Sequence, residues 1–225
     1  MGVLVSGGTG ALGSAVVRKL MDSGYTCAVT WIVERERERA EREFGGGAEL
    51  IEADLFDPGA AARAVAEVDD LEAVVNLVGG FASGPLVHET DPEDFFRMHS
   101  LNLAPAFHLA HAAMPRMMER GAGAFVGVSA RAALQPFPGA AGYVSAKAAV
   151  LAFVKALDAE YRSHGIRCNA ILPSVIDTPA NRESMPDADH SKWVRPEEIA
   201  EVVRFLVSEE SKPTSGAAVP VYGRA

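Results

Sequence analysis

A short glycine-rich stretch near the amino terminus sets the tightest limit on what this chain can become. Ser6-Gly7-Gly8-Thr9-Gly10-Ala11-Leu12-Gly13 stands between an apolar run, Val3–Ser6, and a helical pattern, Ser14–Ser23. Glycines at such a junction let the chain turn sharply and bring main-chain N–H groups against a pyrophosphate at the helix N-terminus. Gly8 to Gly13 spells G-x-G-x-x-G in the strand–turn–helix setting that a dinucleotide site requires. The alternative reading of the same glycines is a tightly packed turn with no ligand.

The rest of the chain continues the same rhythm. Short β-rich runs at Cys27–Ile32, Ala48–Ala53, Ala73–Leu77, Gly123–Val128, Arg167–Leu172 and Ala217–Val221 alternate with helical patterns at Pro58–Val68, Asp91–Arg120, Gly142–His164 and Pro196–Ser208. That alternation predicts an α/β fold, a single Rossmann-type, doubly wound parallel sheet with helices on both faces. No repeat or linker divides residues 1–225, so one domain is expected. Asp91 reads as an N-cap with Pro92 at the first helical position, and Glu93 and Asp94 follow where the helix dipole favours acids. Pro105 and Pro115 are expected to kink that helix or end it early. The Glu/Arg run Glu34–Glu43 pairs opposite charges three and four apart, the pattern of a solvated helix face.

Composition removes several function classes. A net charge of −9 lacks the footprint of a nucleic-acid partner. No apolar run reaches the roughly 18 residues of a membrane span. Two cysteines, Cys27 and Cys168, make no disulfide framework, and the amino terminus has no signal-peptide pattern, so a cytoplasmic protein is expected. His108 and His111 share a helix face without a further ligand at metal spacing, and no metal site is assigned.

The chemistry-bearing residues fall where strands end. An acid commonly closes the second strand to hold the ribose 2′-hydroxyl; here the strand ends Val29-Thr30-Trp31-Ile32, with Arg35 and Arg37 just beyond. This gives NADP a narrow preference over NAD, with Glu34 as an alternative ribose contact. Tyr143 and Lys147 lie four apart in a predicted helix and so on one face. A nearby positive charge is expected to lower the phenol's pKa toward the working range. Ser129 follows the strand Phe125–Val128, at the sheet edge where ligands are met, and is expected to hold a substrate oxygen beside the tyrosine.

Taken together, the glycine turn at 7–13, Ala53-Asp54-Leu55, Asn76–Gly80, Asn102, Ser129, Tyr143/Lys147 and Leu172–Thr178 resemble the short-chain dehydrogenase/reductase family over essentially the whole length. The resemblance implies an NAD(P)-dependent enzyme that passes hydride between nicotinamide and a carbonyl or alcohol. It implies that Tyr143 is the general acid/base, Lys147 tunes it and binds the nicotinamide ribose, Ser129 orients the substrate oxygen and Asn102 holds a relay water. Gly7, Thr9, Gly10, Ala11, Leu12, Gly13, Trp31, Asp54, Leu55, Asn76, Gly79, Pro173, Ile176 and Thr178 are the implied coenzyme contacts. It also implies a homodimer or homotetramer built through the two long helices. Two positions depart from the family pattern: Ala11 replaces a turn glycine, and Ser174 follows Pro173 where glycine is usual.

The segment Asp177–Asp189, with Trp193, is similar to quinonoid dihydropteridine reductases, although Trp31 and Ser129 depart from them. A pteridine reductase, a 3-oxoacyl reductase and a non-catalytic NAD(P)-binding regulator are the alternatives. Residues 174–195 are expected to form the substrate loop. Phe81, Arg131, Phe137, Met185 and Trp193 are expected to line a pocket suited to a flat or apolar small molecule.

Overall fold

A computed structural model describes residues 1–224 of the chain. Seven strands form one sheet: β1 (Gly2–Ser6), β2 (Thr26–Trp31), β3 (Ala48–Glu52), β4 (Leu71–Asn76), β5 (Gly123–Val128), β6 (Ile166–Pro173) and β7 (Ala218–Val221). Their order is β3-β2-β1-β4-β5-β6-β7, and every neighbouring pair is parallel. The helices are α1 (Ala11–Asp22), α2 (Glu34–Phe44), α3 (Pro58–Glu67), α4 (Pro92–Arg120), α5 (Ala141–Tyr161), α6 (Pro179–Ser184) and α7 (Pro196–Val207). The architecture is the doubly wound α/β sheet expected from the sequence.

Alternation along the strands builds a core on each face. Val3 and Val5 of β1, and Ala124 and Val126 of β5, pack with Val16 and Val17 of α1, Phe44 of α2 and Ile199 and Val203 of α7. Leu4 and Phe125, one residue out of phase, pack with Val65 of α3, Leu109 of α4 and Val154 of α5. Strands closed over on both sides read as near-continuous apolar runs, which is why they stand out in the sequence.

Strand order reverses between β1 and β4, and at such a switch point a crevice opens at the carboxyl ends of the strands. Ser6 Oγ donates to Asn76 Oδ1 at 2.6 Å there, tying the two strand ends together.

Most element boundaries fall within one or two residues of expectation. The exceptions are informative. α1 starts at Ala11, three residues earlier than expected, because Gly10 already serves as its N-cap. α4 runs unbroken through Pro105 and Pro115, so neither proline ends it early. Pro105, Ala106, Leu109, Ala110, Ala113 and Met114 are all buried, and that packing outweighs the missing main-chain bonds. Asp91 caps α4 by accepting from Glu93 N at 2.7 Å. α2 is the solvated helix expected: Arg37 pairs with Glu34 and Glu41, and only Ala40 and Phe44 are buried. Among the described residues no helix is long and apolar enough to cross a membrane.

Candidate active site

The glycine turn is shaped by contacts that exclude side chains. Gly7 adopts φ +70°, and Gly10 N–H closes the turn on the Gly7 carbonyl at 3.1 Å. A side chain at Gly13 would run into the main chain of Gly7 and Gly8. Helix α1 opens at Gly10 with no side-chain cap and no acid in its first turn. Its free N–H groups and positive dipole end therefore remain available to an anion. Thr9 is buried, and the guanidinium of Arg39, on α2, donates to its carbonyl. Trp31 closes β2 with the Arg37 guanidinium 5.8 Å from its ring centre. Its indole Nε1 is the one buried side-chain polar atom without a hydrogen-bond partner among the described residues. An uncapped helix end and an orphaned N–H at the end of β2 both fit a dinucleotide rich in acceptor oxygens.

Further contacts surround the next strand end. Asp54 is exposed and accepts from Phe56 N at 3.0 Å. The Leu55 side chain belongs to the core, and its carbonyl bonds His108 Nδ1 at 2.8 Å, so Leu55 offers a ligand only its main chain. Gly79 faces a tight cradle: an added Cβ would sit 2.6 Å from Asn102 Oδ1 and 3.0 Å from Lys147 Nζ. Asn102 spends its carboxamide on neighbours, donating to the Gly80 and Met98 carbonyls at 3.2 and 2.9 Å and accepting from Gly80 N at 3.2 Å. It thereby pins the loop after β4 to α4.

Tyr143 and Lys147 share one face of the first turns of α5. The Lys147 side chain is 7% exposed, and its amine donates to the Val128 carbonyl at 3.0 Å. Burial lowers its pKa to about 8. The Tyr143 hydroxyl finds no hydrogen-bond partner among the described residues and is not sealed in the interior. The Phe81 ring, 62% exposed, meets the tyrosine edge-on at 4.9 Å. The expectation that Lys147 lowers the phenol's pKa is corrected here. Burial pushes Tyr143 up to about 12 instead, because desolvation disfavours the phenolate.

Ser129 is 2% exposed, and its hydroxyl donates at 2.7 Å to the main-chain carbonyl of Lys147 on α5.

The segment after β6 is held in place by its own bonds. Pro173 ends β6, Ile176 forms a parallel bridge with Val194, and Thr178 caps α6 by accepting from Asn181 N at 3.2 Å. Arg182 pairs with Asp177 through both of the latter's oxygens. Phe137 and Met185 are exposed, as a pocket wall requires, but two of the proposed pocket residues are not free. Trp193 is buried against His190, with ring centres 4.3 Å apart, and anchors the loop. Arg131 lies over the Tyr222 ring at 5.1 Å and donates to Gln135.

Sequence reasoning missed Arg39, because nothing in an alternating Glu/Arg run marks one arginine as reaching the glycine turn. It also missed Gly80, whose peptide is held by Asn102. Among the described residues, no three His, Cys, Asp or Glu side chains are grouped to hold a metal.

Comparison with known proteins agrees with this geometry. Residues 8–223 match a family model described as enoyl-(acyl carrier protein) reductase. The chain is 29% identical to a 3beta-hydroxysteroid dehydrogenase of Mediterraneibacter gnavus, over 98% of this chain and 93% of that one. It is 30% identical to an acetoacetyl-CoA reductase of Paracoccus denitrificans, over 95% and 93%. A solved structure of a short chain dehydrogenase/reductase family protein superposes with a TM-score of 0.92 at 30% identity, covering 99% of this chain and 96% of that one. Fold, site layout and these matches agree: the chain belongs to the short-chain dehydrogenase/reductase family and is an NAD(P)-dependent oxidoreductase.

Proposed function

We propose that Tyr143 is the general acid/base of a carbonyl/alcohol interconversion, with Lys147 behind it and Asn102 fixing the loop against which the coenzyme rests. One observation carries this reading: Tyr143 and the buried Lys147 amine stand on one face of α5, and that amine meets the Gly79 cradle. The bound nicotinamide supplies or accepts the hydride. Tyr143 gives its proton to the substrate oxygen in reduction and takes it back in oxidation. The lysine's charge favours the phenolate when the proton leaves. Gly7, Thr9–Gly13, Trp31, Asp54, the Leu55 main chain, Asn76, Gly79, Pro173, Ile176 and Thr178 are the proposed coenzyme contacts.

The coenzyme reading keeps a narrow preference for NADP. It is supported by Trp31 in place of an acid and by Arg35, which is exposed and makes no ion pair among the described residues. We read residues 1–225 as one NAD(P)-binding domain with 174–195 as its substrate loop, acting in the cytoplasm as a homodimer or homotetramer. Two unpaired, buried cysteines support a reducing compartment. Reduction of a 3-oxoacyl thioester is the second reading, favoured by the 30% identity to acetoacetyl-CoA reductase.

Replacing Tyr143→Phe, with folding checked by circular dichroism, is expected to cut turnover by about 100-fold or more while coenzyme still binds. Turnover within a few-fold of the parent would remove the mechanism. Assays of simple ketones, quinonoid pteridine and 3-oxoacyl thioesters with NADPH and NADH then separate the substrate readings.

A further inference from the structure

The end of β7 and the residues just after it hold both ends of the 174–195 loop. At the first end, Ser174 N–H donates to the Val221 carbonyl at 3.2 Å, and Ser174 Oγ donates to the Tyr222 carbonyl at 2.8 Å. At the far end, Arg224 N–H donates to the Lys192 carbonyl at 3.2 Å. Gly223 crosses the loop so closely that an added Cβ would stand 3.1 Å from the carbonyl oxygens of Lys192 and Trp193. The two limbs of the loop also meet each other. Val194 N–H donates to the Val175 carbonyl at 3.1 Å, and Asp177 N–H donates to the Val194 carbonyl at 2.8 Å. Tyr222 makes a third attachment: its ring packs on the core and lies under the guanidinium of Arg131, from the loop after β5.

A long loop tied only at its two ends would sample many conformations. Fastening both limbs to one short segment removes much of that freedom before a ligand arrives. Ser174 supplies the side-chain part of the fastening, and a glycine in its place would offer no hydroxyl. Ile176 and Thr178 follow two and four residues along the same limb. We propose that Tyr222, Gly223 and Arg224 form a clasp on the 174–195 loop, and that Ser174 is a positioning residue that closes it and so preorganises Ile176 and Thr178 for the coenzyme. This inference rests on the reading of those two residues as coenzyme contacts.

The test is Ser174→Ala, which keeps every main-chain bond of the clasp and removes only the hydroxyl. Trypsin can cut the loop after Arg182 and after Lys192, and the rate under native conditions reads the fraction of open loop. Loss of one net hydrogen bond predicts cleavage about two- to tenfold faster and NADPH affinity, by calorimetric titration, about two- to tenfold weaker. Ser174→Thr, which keeps a hydroxyl, should bring both back toward the parent. If Ser174→Ala fails to fold, Gly223→Ala strains the other end, at φ +64°, and should speed cleavage after Lys192 by about fivefold or more. Cleavage no faster than in the parent overturns the clasp. Faster cleavage with NADPH affinity unmoved overturns the positioning role. Adding NADPH to the parent protein judges the underlying reading separately, since a loop that touches the coenzyme should then be cut more slowly. Protection there, together with either overturning result, would sink this inference and leave Ile176 and Thr178 as contacts. A parent loop that NADPH does not protect would remove that reading and this inference with it.

Discussion

Two clefts of nearly equal size, about 390 and 380 Å³, lie on this molecule and differ in almost every other respect. The first runs from Gly10 and Ala11 at the start of α1 to Asp177 and Arg195, and Arg18, Arg39, Glu43 and Glu197 also line it. The second lies between the loop at Pro85–Val87 and the segment from Pro136 to Ser145, and no charged side chain lines it. The charged cleft is shaped by main-chain geometry at a helix end, which only a narrow set of residues can produce. The uncharged one is shaped by loops, where many residues would serve. We assign the first to a shared coenzyme and the second to a substrate that varies between relatives. The relatives fit that division, since one is named for a hydroxysteroid and another for an acyl thioester.

The strongest way to break this division is at Lys147, which we assign to the coenzyme side and which is paid for in stability. Lys147→Met should reduce turnover by about 100-fold or more, because the charge beside Tyr143 is lost. The same change should stabilise the fold near neutral pH. Burial holds the folded-state pKa at about 8, below the ordinary value of 10.5, so below pH 8 the folded protein carries a desolvated charge. That penalty, about 3 kcal/mol, is relieved as pH rises from 8 toward 10.5, where the unfolded chain binds the proton and the folded one does not. After subtracting about 1 kcal/mol for the lost bond to Val128, the variant should gain about 2 kcal/mol at pH 7 and less at pH 9.5. Urea midpoints at the two pH values measure it. An equal gain at both, or a loss at pH 7, would show that the amine is not held as described.

The substrate side has its own vulnerable point, with a smaller expected effect. Gly84 N–H donates to the Gly139 carbonyl at 2.8 Å, latching the two loops that wall the uncharged cleft. Gly139 adopts φ +76°, and an added Cβ would stand 2.6 Å from the Gly84 carbonyl oxygen. Gly139→Ala should cost about 1–3 kcal/mol of stability through that strained conformation. It should also raise substrate KM with little change in coenzyme affinity. A matching loss of coenzyme affinity would mean that the two clefts are not separable.

The same division explains what the sequence could and could not disclose. Strands covered on both faces must be apolar throughout, and a glycine turn between strand and helix admits few substitutes, so the sheet and the turn at 7–13 were legible. Tyr143 and Lys147 were legible because helix geometry alone puts residues four apart on one face. The orientation of Ser129 was not, because whether a hydroxyl at a strand end faces a cleft or a neighbouring helix depends on how α5 docks. The contacts of Trp193 and Arg131 were not legible for a related reason. Aromatic and basic residues in loops have several partners within reach, and His190 and Tyr222 took them. Proline was misleading in α4 because its local cost is overruled by the burial of the surrounding residues.

On α2, Arg39 lines the charged cleft and Arg35 lies one helical turn before it, and the two are assigned different tasks. Arg39 donates to the Thr9 carbonyl and so steadies the turn that any dinucleotide must use. Removing it should weaken NADPH and NADH alike, by roughly two- to tenfold, as expected for one net hydrogen bond. Arg35 is exposed just beyond the end of β2, where we place the choice between ribose hydroxyl and ribose phosphate. Arg35→Ala should weaken NADPH by about fivefold or less, an effect shrinking as salt is raised, and leave NADH where it was. Titrating both coenzymes against both variants at low and high salt reads all of this at once. An Arg39→Ala variant that loses NADPH alone would make Arg39 the phosphate partner, and the turn would then owe its shape to the glycines without help from α2.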